Sequence, residues 1–220
     1  MDSDPAAQLL LDEIGRRIGD PRVVAAMEEV PRPLFVPEPL RPDAWANKPL
    51  AIGEEQTISQ PALVARMCEL LELKGHETVL DVGTGSGYHA AVLSRLAARV
   101  ISIERRPALS QRAGEALTAA GINNVVLVIG DGSCGYPLNA PFTAINVAAA
   151  TPPGAEESLA RQLADGGRMV LPTAAKVQRL VRLRRNGNRL IREELEEVAF
   201  VPLVAGQDAF SPAPLPSPGR

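Results

Sequence analysis

Three acidic residues, each placed where an expected strand ends, carry the first chemical signal in the chain: Asp81, Glu104 and Asp131. Asp81 belongs to Val79-Leu80-Asp81-Val82-Gly83-Thr84-Gly85-Ser86-Gly87-Tyr88, an apolar run that breaks into glycines alternating with small hydroxyl residues. Helical periodicity follows from Tyr88 to Ala98, so the pattern specifies strand, tight turn and helix. Glycines in such a turn supply backbone angles that other residues resist, and they let main-chain N–H groups at the helix N-terminus close on a ligand. The spacing G-x-G-x-G puts Tyr88 where a dinucleotide fingerprint needs its last glycine, and no Gly-Lys-Ser/Thr follows to make a phosphate loop. A carboxylate two residues ahead of Gly83 is poorly placed for a pyrophosphate and well placed for an ammonium or sulfonium. The turn therefore fits S-adenosylmethionine better than a dinucleotide, with glycines kept for packing alone as the competing account.

Glu104 ends the run Val100-Ile101-Ser102-Ile103-Glu104, 21 residues after Gly83. A carboxylate there can accept hydrogen bonds from both hydroxyls of a ribose, and a solvated strand-end charge is the plainer alternative. Gly130-Asp131-Gly132 ends the next run, where a carboxylate between glycines suits an adenine amino group and an ordinary Asp-Gly turn competes. Ahead of all three lies Gln56-Thr57-Ile58-Ser59-Gln60-Pro61. Local sequence favours Ser59 as the N-cap of a proline-led helix, its hydroxyl satisfying a free backbone N–H.

These residues need a scaffold, and its class is legible. Strands over 78–82, 100–103, 125–129, 144–147 and 168–172 alternate with helices over 88–98, 107–120 and 155–163, which predicts a mostly parallel, doubly wound α/β sheet with right-handed crossovers. Two further runs, 178–184 and 190–201, meet at Asn186-Gly187-Asn188 and close the sheet as a hairpin, for about seven strands. Ligands in such sheets sit outside the carboxyl ends of the strands at the switch point. The N-terminal part, 1–60, reads as two helices, Pro5–Ile18 and Arg22–Glu28 with Asp20 as cap, and then an extended, proline-punctuated cover in which Leu34, Phe35 and Val36 are buried. Residues 61–206 form the core, and 207–220, with Pro212, Pro214, Pro216 and Pro218, read as a disordered tail.

Composition narrows the partners. The 220 residues are 45% hydrophobic with a net charge of −3, which suits one α/β domain and argues against a broad nucleic-acid surface. Cys68, Cys134, His76 and His89 lack metal-ligand spacing, so no metal is expected. No signal-peptide pattern or long apolar run is present, so a cytoplasmic protein with no membrane partner is expected, as a monomer.

Taken together, Val30-Pro31-Arg32 with Phe35-Val36-Pro37, Pro49 to Gly53, Gln56-Thr57-Ile58-Ser59-Gln60-Pro61, the run Asp81-Val82-Gly83-Thr84-Gly85-Ser86-Gly87-Tyr88, Ser102 to Arg105, Gly130-Asp131-Gly132 and Phe200-Val201-Pro202-Leu203 resemble the protein-L-isoaspartate (D-aspartate) O-methyltransferase family over about residues 20–204. The resemblance implies a Rossmann-like class I methyltransferase that uses S-adenosyl-L-methionine. Its reaction would be esterification of the α-carboxylate of L-isoaspartyl residues, and of D-aspartyl residues, in damaged proteins and peptides, initiating repair through a succinimide. It implies Ser59 as the active-site serine, with Thr57, Ile58 and Gln60 beside the substrate. For the cofactor it implies Asp81, Gly83, Thr84, Gly85, Ser86 and Gly87 at the methionine part, Glu104 and Arg105 at the ribose, and Asp131 and Gly132 at the adenine. Thr143 and Asn146 depart from the family's usual Asp and Ile in its Phe-Asp-x-Ile-Ile run. An aspartyl O-methyltransferase for one dedicated peptide, and a non-catalytic cofactor-binding relic, are the alternatives.

Overall fold

The computed structural model describes residues 4–206 and 210–212. Helices α1 (Pro5–Gly15) and α2 (Pro21–Glu29) each begin with an aspartate cap before a proline: Asp4 accepts from Ala6 N at 2.9 Å and Asp20 from Arg22 N at 3.0 Å. The following segment is less extended than its prolines suggest, since Arg32–Phe35 and Glu38–Asp43 are short 3-10 turns. Proline is tolerated in the first turn of such a helix, where no N–H is needed. Phe35 and Val36 are buried as expected, but Leu34 is 37% exposed, because a 3-10 turn cannot aim three consecutive side chains at one core.

Strands β1 (Leu50–Gly53) and β2 (Gln56–Ile58) form a separate hairpin that the sequence did not announce. Its turn residues Glu54 and Glu55 both take positive φ, 54° and 57°, in place of the Asn-Gly that normally marks such a turn. Helix α3 (Pro61–Leu71) starts directly after it. Gln60, not Ser59, occupies the cap position, and Asn47 Oδ1 accepts from Ala62 N at 3.2 Å, so Ser59 is not used as the helix cap.

The main sheet collects β3 (Thr78–Val82), β4 (Arg99–Glu104), β5 (Val125–Ile129), β6 (Phe142–Val147), β7 (Leu163–Pro172), β8 (Arg179–Asn186), β9 (Arg189–Glu197) and the two-residue β10 (Ser211–Pro212) in the order β10-β5-β4-β3-β6-β7-β8-β9. Strands β5, β4, β3, β6 and β7 are parallel, and β8, β9 and β10 pair antiparallel. The chain runs outward from β3 to β5 and then jumps back to β6, which puts the switch point between β3 and β6. Helices α4 (Tyr88–Leu96) and α5 (Pro107–Ala119) pack with α1–α3 on one face, where Val79, Val100 and Ala144 project. Helix α6 (Pro153–Ala160) covers the other, over Leu80, Val82, Ile101 and Ile145. Gly166-Gly167, just ahead of the strand expected over 168–172, lies inside β7, where pairing with β6 shifts register.

The segment after 206 was expected to be disordered throughout. Most of it lies outside the described residues, but Ser211 and Pro212 pair with Ile129 and Val128, and the Phe210 ring meets Tyr136 edge-on at 5.2 Å. The outer edge of β5 and the Tyr136 ring supply the two contacts that composition alone did not suggest.

Candidate active site

Backbone hydrogen bonds knit the glycine turn to the end of β4. Gly83 N and Thr84 N donate to Ile103 O at 2.9 and 3.1 Å, and Gly85 N donates to Glu104 Oε2 at 2.9 Å. Glu104 Oε1 accepts from Arg106 N, also at 2.9 Å, so one buried carboxylate ties the turn after β3 to the turn after β4. Each of its oxygens keeps a second lone pair for a ligand hydroxyl. Positive φ at Gly83, Gly85 and Gly87, 94°, 54° and 87°, explains why the turn needs three glycines.

One cavity lies against this turn, and a second joins it on the side of Thr57 and Ser59. The smaller, about 90 Å³, is lined by Gly83, Thr84, Gly85, Ser86, Glu104 and Gly132. Val201 to Val204 line it as well, held by Leu203 N to Ala150 O at 2.9 Å and Arg105 Nη1 to Val204 O at 2.9 Å. The larger, about 690 Å³, lies among α1, α3 and the chain following β9, with Leu63, Arg66 and Phe200 in its walls. Thr57, Ser59, Ala148 and Val201 line both. Ser59 is half-buried there, and its main-chain carbonyl accepts from Arg32 Nη2 at 2.8 Å. Arg32 is fully buried, with Nε on Ala44 O at 2.7 Å and its guanidinium 4.5 Å from the centre of the Tyr88 ring. Its cation is thus spent on positioning the Ser59 segment, and burial lowers its pKa.

Most of the expected residues converge. Thr57, Ile58, Ser59, Gly83, Thr84, Gly85, Ser86, Glu104, Arg105 and Gly132 line the smaller cavity, and Gln60 lines only the larger. Gly87 lines neither; it lets α4 approach α5, since a Cβ there would stand 3.1 Å from Ala113 Cβ. Asp131, expected at an adenine, shapes the turn: Oδ1 accepts from Ser133 N at 2.9 Å and Oδ2 from Gly206 N at 2.6 Å.

Asp81 lies outside the lining of both cavities. It does not face the cavity but points beneath the turn, with no exposure, because residues alternate along β3 and Asp81 shares the α4 face with Val79. Its in-register neighbours are Ser102 on β4 and Asn146 on β6, and both donate to it at 2.7 Å. Thr84 Oγ1 reaches Ser102 Oγ at 2.6 Å, which links the carboxylate to the turn above it. Burial raises the Asp81 pKa to about 6, Ser102 and Asn146 oppose that rise, and Glu104 adds to it. His89, on the first turn of α4, completes this row with Nδ1 at 3.2 Å from Asn146 Nδ2. Burial holds the imidazole neutral, with its pKa down to about 3. Sequence reasoning missed His89, Arg32 and the Val201–Val204 strap as parts of the site; Asn146 was visible only as an unexplained polar residue in an apolar strand.

No group of three or more His, Cys, Asp or Glu that could hold a metal ion occurs among the described residues, and no helix there is long and apolar enough to cross a membrane.

The chain matches the sequence model described as Protein-L-isoaspartate(D-aspartate) O-methyltransferase over residues 6–208. The protein-L-isoaspartate O-methyltransferase of Methanoregula boonei is 51% identical over 191 residues, covering 86% of this chain and 88% of that protein. A solved protein-L-isoaspartate O-methyltransferase superposes with a TM-score of 0.79 at 28% identity over 91% of this chain, which spans 66% of that longer one. A Plasmodium falciparum protein described as a protein-L-isoaspartate O-methyltransferase, in complex with S-adenosyl-L-homocysteine, superposes with a TM-score of 0.77 at 25% identity, covering 92% of this chain and 99% of the other.

Proposed function

The chain belongs to the protein-L-isoaspartate O-methyltransferase family, and from that premise we propose that it esterifies the free α-carboxylate of isoaspartyl residues, with Ser59 positioning that carboxylate. The observation that carries the assignment of roles is the position of Ser59 on the wall shared by two cavities. The smaller suits S-adenosylmethionine, because Glu104 has lone pairs left for two ribose hydroxyls and the glycine turn offers open backbone. The larger suits the polypeptide on either side of the damaged residue. Gly132 would border the adenine, and Arg105, through its bond to Val204 O, would hold the strap over the nucleoside. Asp81 would act from beneath, through Ser102 and Thr84, and not by contact.

S-adenosylmethionine supplies, when bound, a methyl group on a positively charged sulfur. The chain's residues have little proton chemistry to perform, since a carboxylate with a pKa near 4 is ionised at neutral pH and needs no general base. Their task is placement in a dry pocket. Attack by an anion on a cation cancels charge, so a fixed cation at the carboxylate would stabilise the reactants more than the transition state. Around Ser59 the cations are engaged: Arg32 on two carbonyls, Arg66 on Glu69 and Glu196, and Arg106 on Glu54 at 3.2 Å. The Ser59 hydroxyl is a neutral donor of the right kind. An isoaspartyl link moves the main chain onto the side-chain carboxyl, so a groove that reads backbone on both sides rejects ordinary aspartate by geometry. The test is methyl transfer to one peptide in its Asp and isoAsp forms. Esterification of the isoAsp form alone is expected; equal transfer to both, or to neither, overturns the reading.

A further inference from the structure

The row Asp81–Asn146–His89 fixes something that a list of cavity-lining residues does not: which ring nitrogen of His89 carries the proton. An ionised Asp81 can only accept, so the Asn146 group 2.7 Å from its Oδ1 must be the amide NH2. The same nitrogen lies 3.2 Å from His89 Nδ1, which must then accept its second hydrogen with a lone pair. A neutral imidazole accepting at Nδ1 carries its proton on Nε2. That Nε2–H is buried and has no partner among the described residues, while the ring lines the smaller cavity.

An orphaned buried donor costs free energy unless something accepts from it. Helix α4 begins one residue earlier behind Gly87, which provides no side-chain cap, so the positive end of a nine-residue helix faces the same place. A neutral donor at a helix N-terminus selects an anionic acceptor. On the cofactor reading of this cavity, the anion in question is the carboxylate of the methionine part, since the nucleoside belongs with Glu104 at the end of β4. We propose that His89 Nε2–H donates to that carboxylate, a contact that Asp81 sets up through Asn146 by locking the imidazole tautomer. Asn146, which departs from the family's apolar residue at that strand position, is then half of a pair whose other half is His89.

Calorimetric titration with S-adenosylhomocysteine and with its analogue lacking the carboxylate tests this directly. In His89→Leu the affinity for S-adenosylhomocysteine should fall about tenfold or more, the scale of one charge-assisted hydrogen bond, while the analogue should change less than about twofold. His89→Gln, which can present an amide N–H near the same point, should recover part of the loss. A second readout needs no variant: the ring nitrogens of the native protein at neutral pH should show the proton on Nε2 by nitrogen NMR. Equal weakening of both ligands, unchanged binding of both, or a proton on Nδ1 overturns the proposal. Failure of the native protein to bind S-adenosylhomocysteine would instead remove the cofactor reading on which it rests.

Discussion

Removing the Glu104 carboxylate should weaken both the ligand site and the fold, and the two losses can be separated. In Glu104→Ala, Gly85 N–H and Arg106 N–H lose acceptors at 2.9 Å, and a bound ribose loses its carboxylate. Hydrogen bonds to a charged acceptor contribute about 1.5–3 kcal/mol each. Water entering the open cavity would re-satisfy part of the backbone loss, so the expected cost to stability is about 2–3 kcal/mol, or roughly 4–12 °C in melting temperature for a chain of this size. Affinity for S-adenosylhomocysteine should fall by a further 1.5–3 kcal/mol, about tenfold to a hundredfold or slightly more, measured by calorimetry well below the variant's melting temperature. Glu104→Gln keeps the shape and one acceptor but turns an NH2 toward one of the two backbone donors, so it should fall between Ala and the native residue on both scales. Native affinity in Glu104→Ala would remove the residue from the ligand site. A native melting temperature would show that the two turns do not depend on it.

Ser59→Ala should lower the methyl-transfer rate on an isoaspartyl peptide by roughly tenfold to a hundredfold with cofactor affinity nearly unchanged, the signature of a donor that touches only the substrate; an equal loss in both would place it at the cofactor instead. His89 and Asp81 make opposite contributions to stability on the acid side. His89 has its folded pKa below the unfolded value, so its contribution is lost as pH falls from about 6.5 toward 3, whereas Asp81, raised to about 6, contributes stability as pH falls through 6 toward 3.8. Replacing His89 by Phe should therefore make the unfolding free energy from denaturant titration decline less between pH 6.5 and 4 than in the native protein, by about 2–3 kcal/mol, and parallel curves would refute the assignment. Truncation after Gly206 should cost about 1–3 kcal/mol, because the Phe210 ring leaves Tyr136 and the β5 edge loses its partner; an unchanged melting temperature would mean that these contacts contribute nothing.

The cofactor side of this site was legible because its parts are local. A strand, three glycines and an acid at the end of the next strand are fixed by a short stretch of sequence, and the switch-point rule places them in space. What failed was orientation. Asp81 and Glu104 both stand near strand ends, but Glu104 is the last residue of β4 and escapes the pleat, while Asp81 is one residue short of the end of β3 and points under α4. Period-two alternation from Val79 could have predicted this, since Val79 and Asp81 must share a face. The β1–β2 hairpin was hidden for a different reason: two glutamates in left-handed geometry carry no turn signal, so tertiary contacts must hold them there. Arg106 bonded to Glu54, and Arg112 Nη2 bonded to Ile52 O at 2.8 Å, are the contacts that do so.

The substrate side was legible only through resemblance, and the physical reason lies in how Ser59 is held. Its hydroxyl caps nothing, so local sequence gives it no fixed purpose; its carbonyl is instead gripped by Arg32, 27 residues earlier and fully buried. A buried guanidinium with no carboxylate bonded to it among the described residues is costly, and the cost is offset by two carbonyls and the Tyr88 ring. Tyr88 is also the first residue of α4, directly after the glycine turn. One buried cation therefore joins the element that presents the substrate's donor to the helix behind the cofactor turn. Geometry between the two cavities is set by that joint, which neither stretch of sequence contains alone.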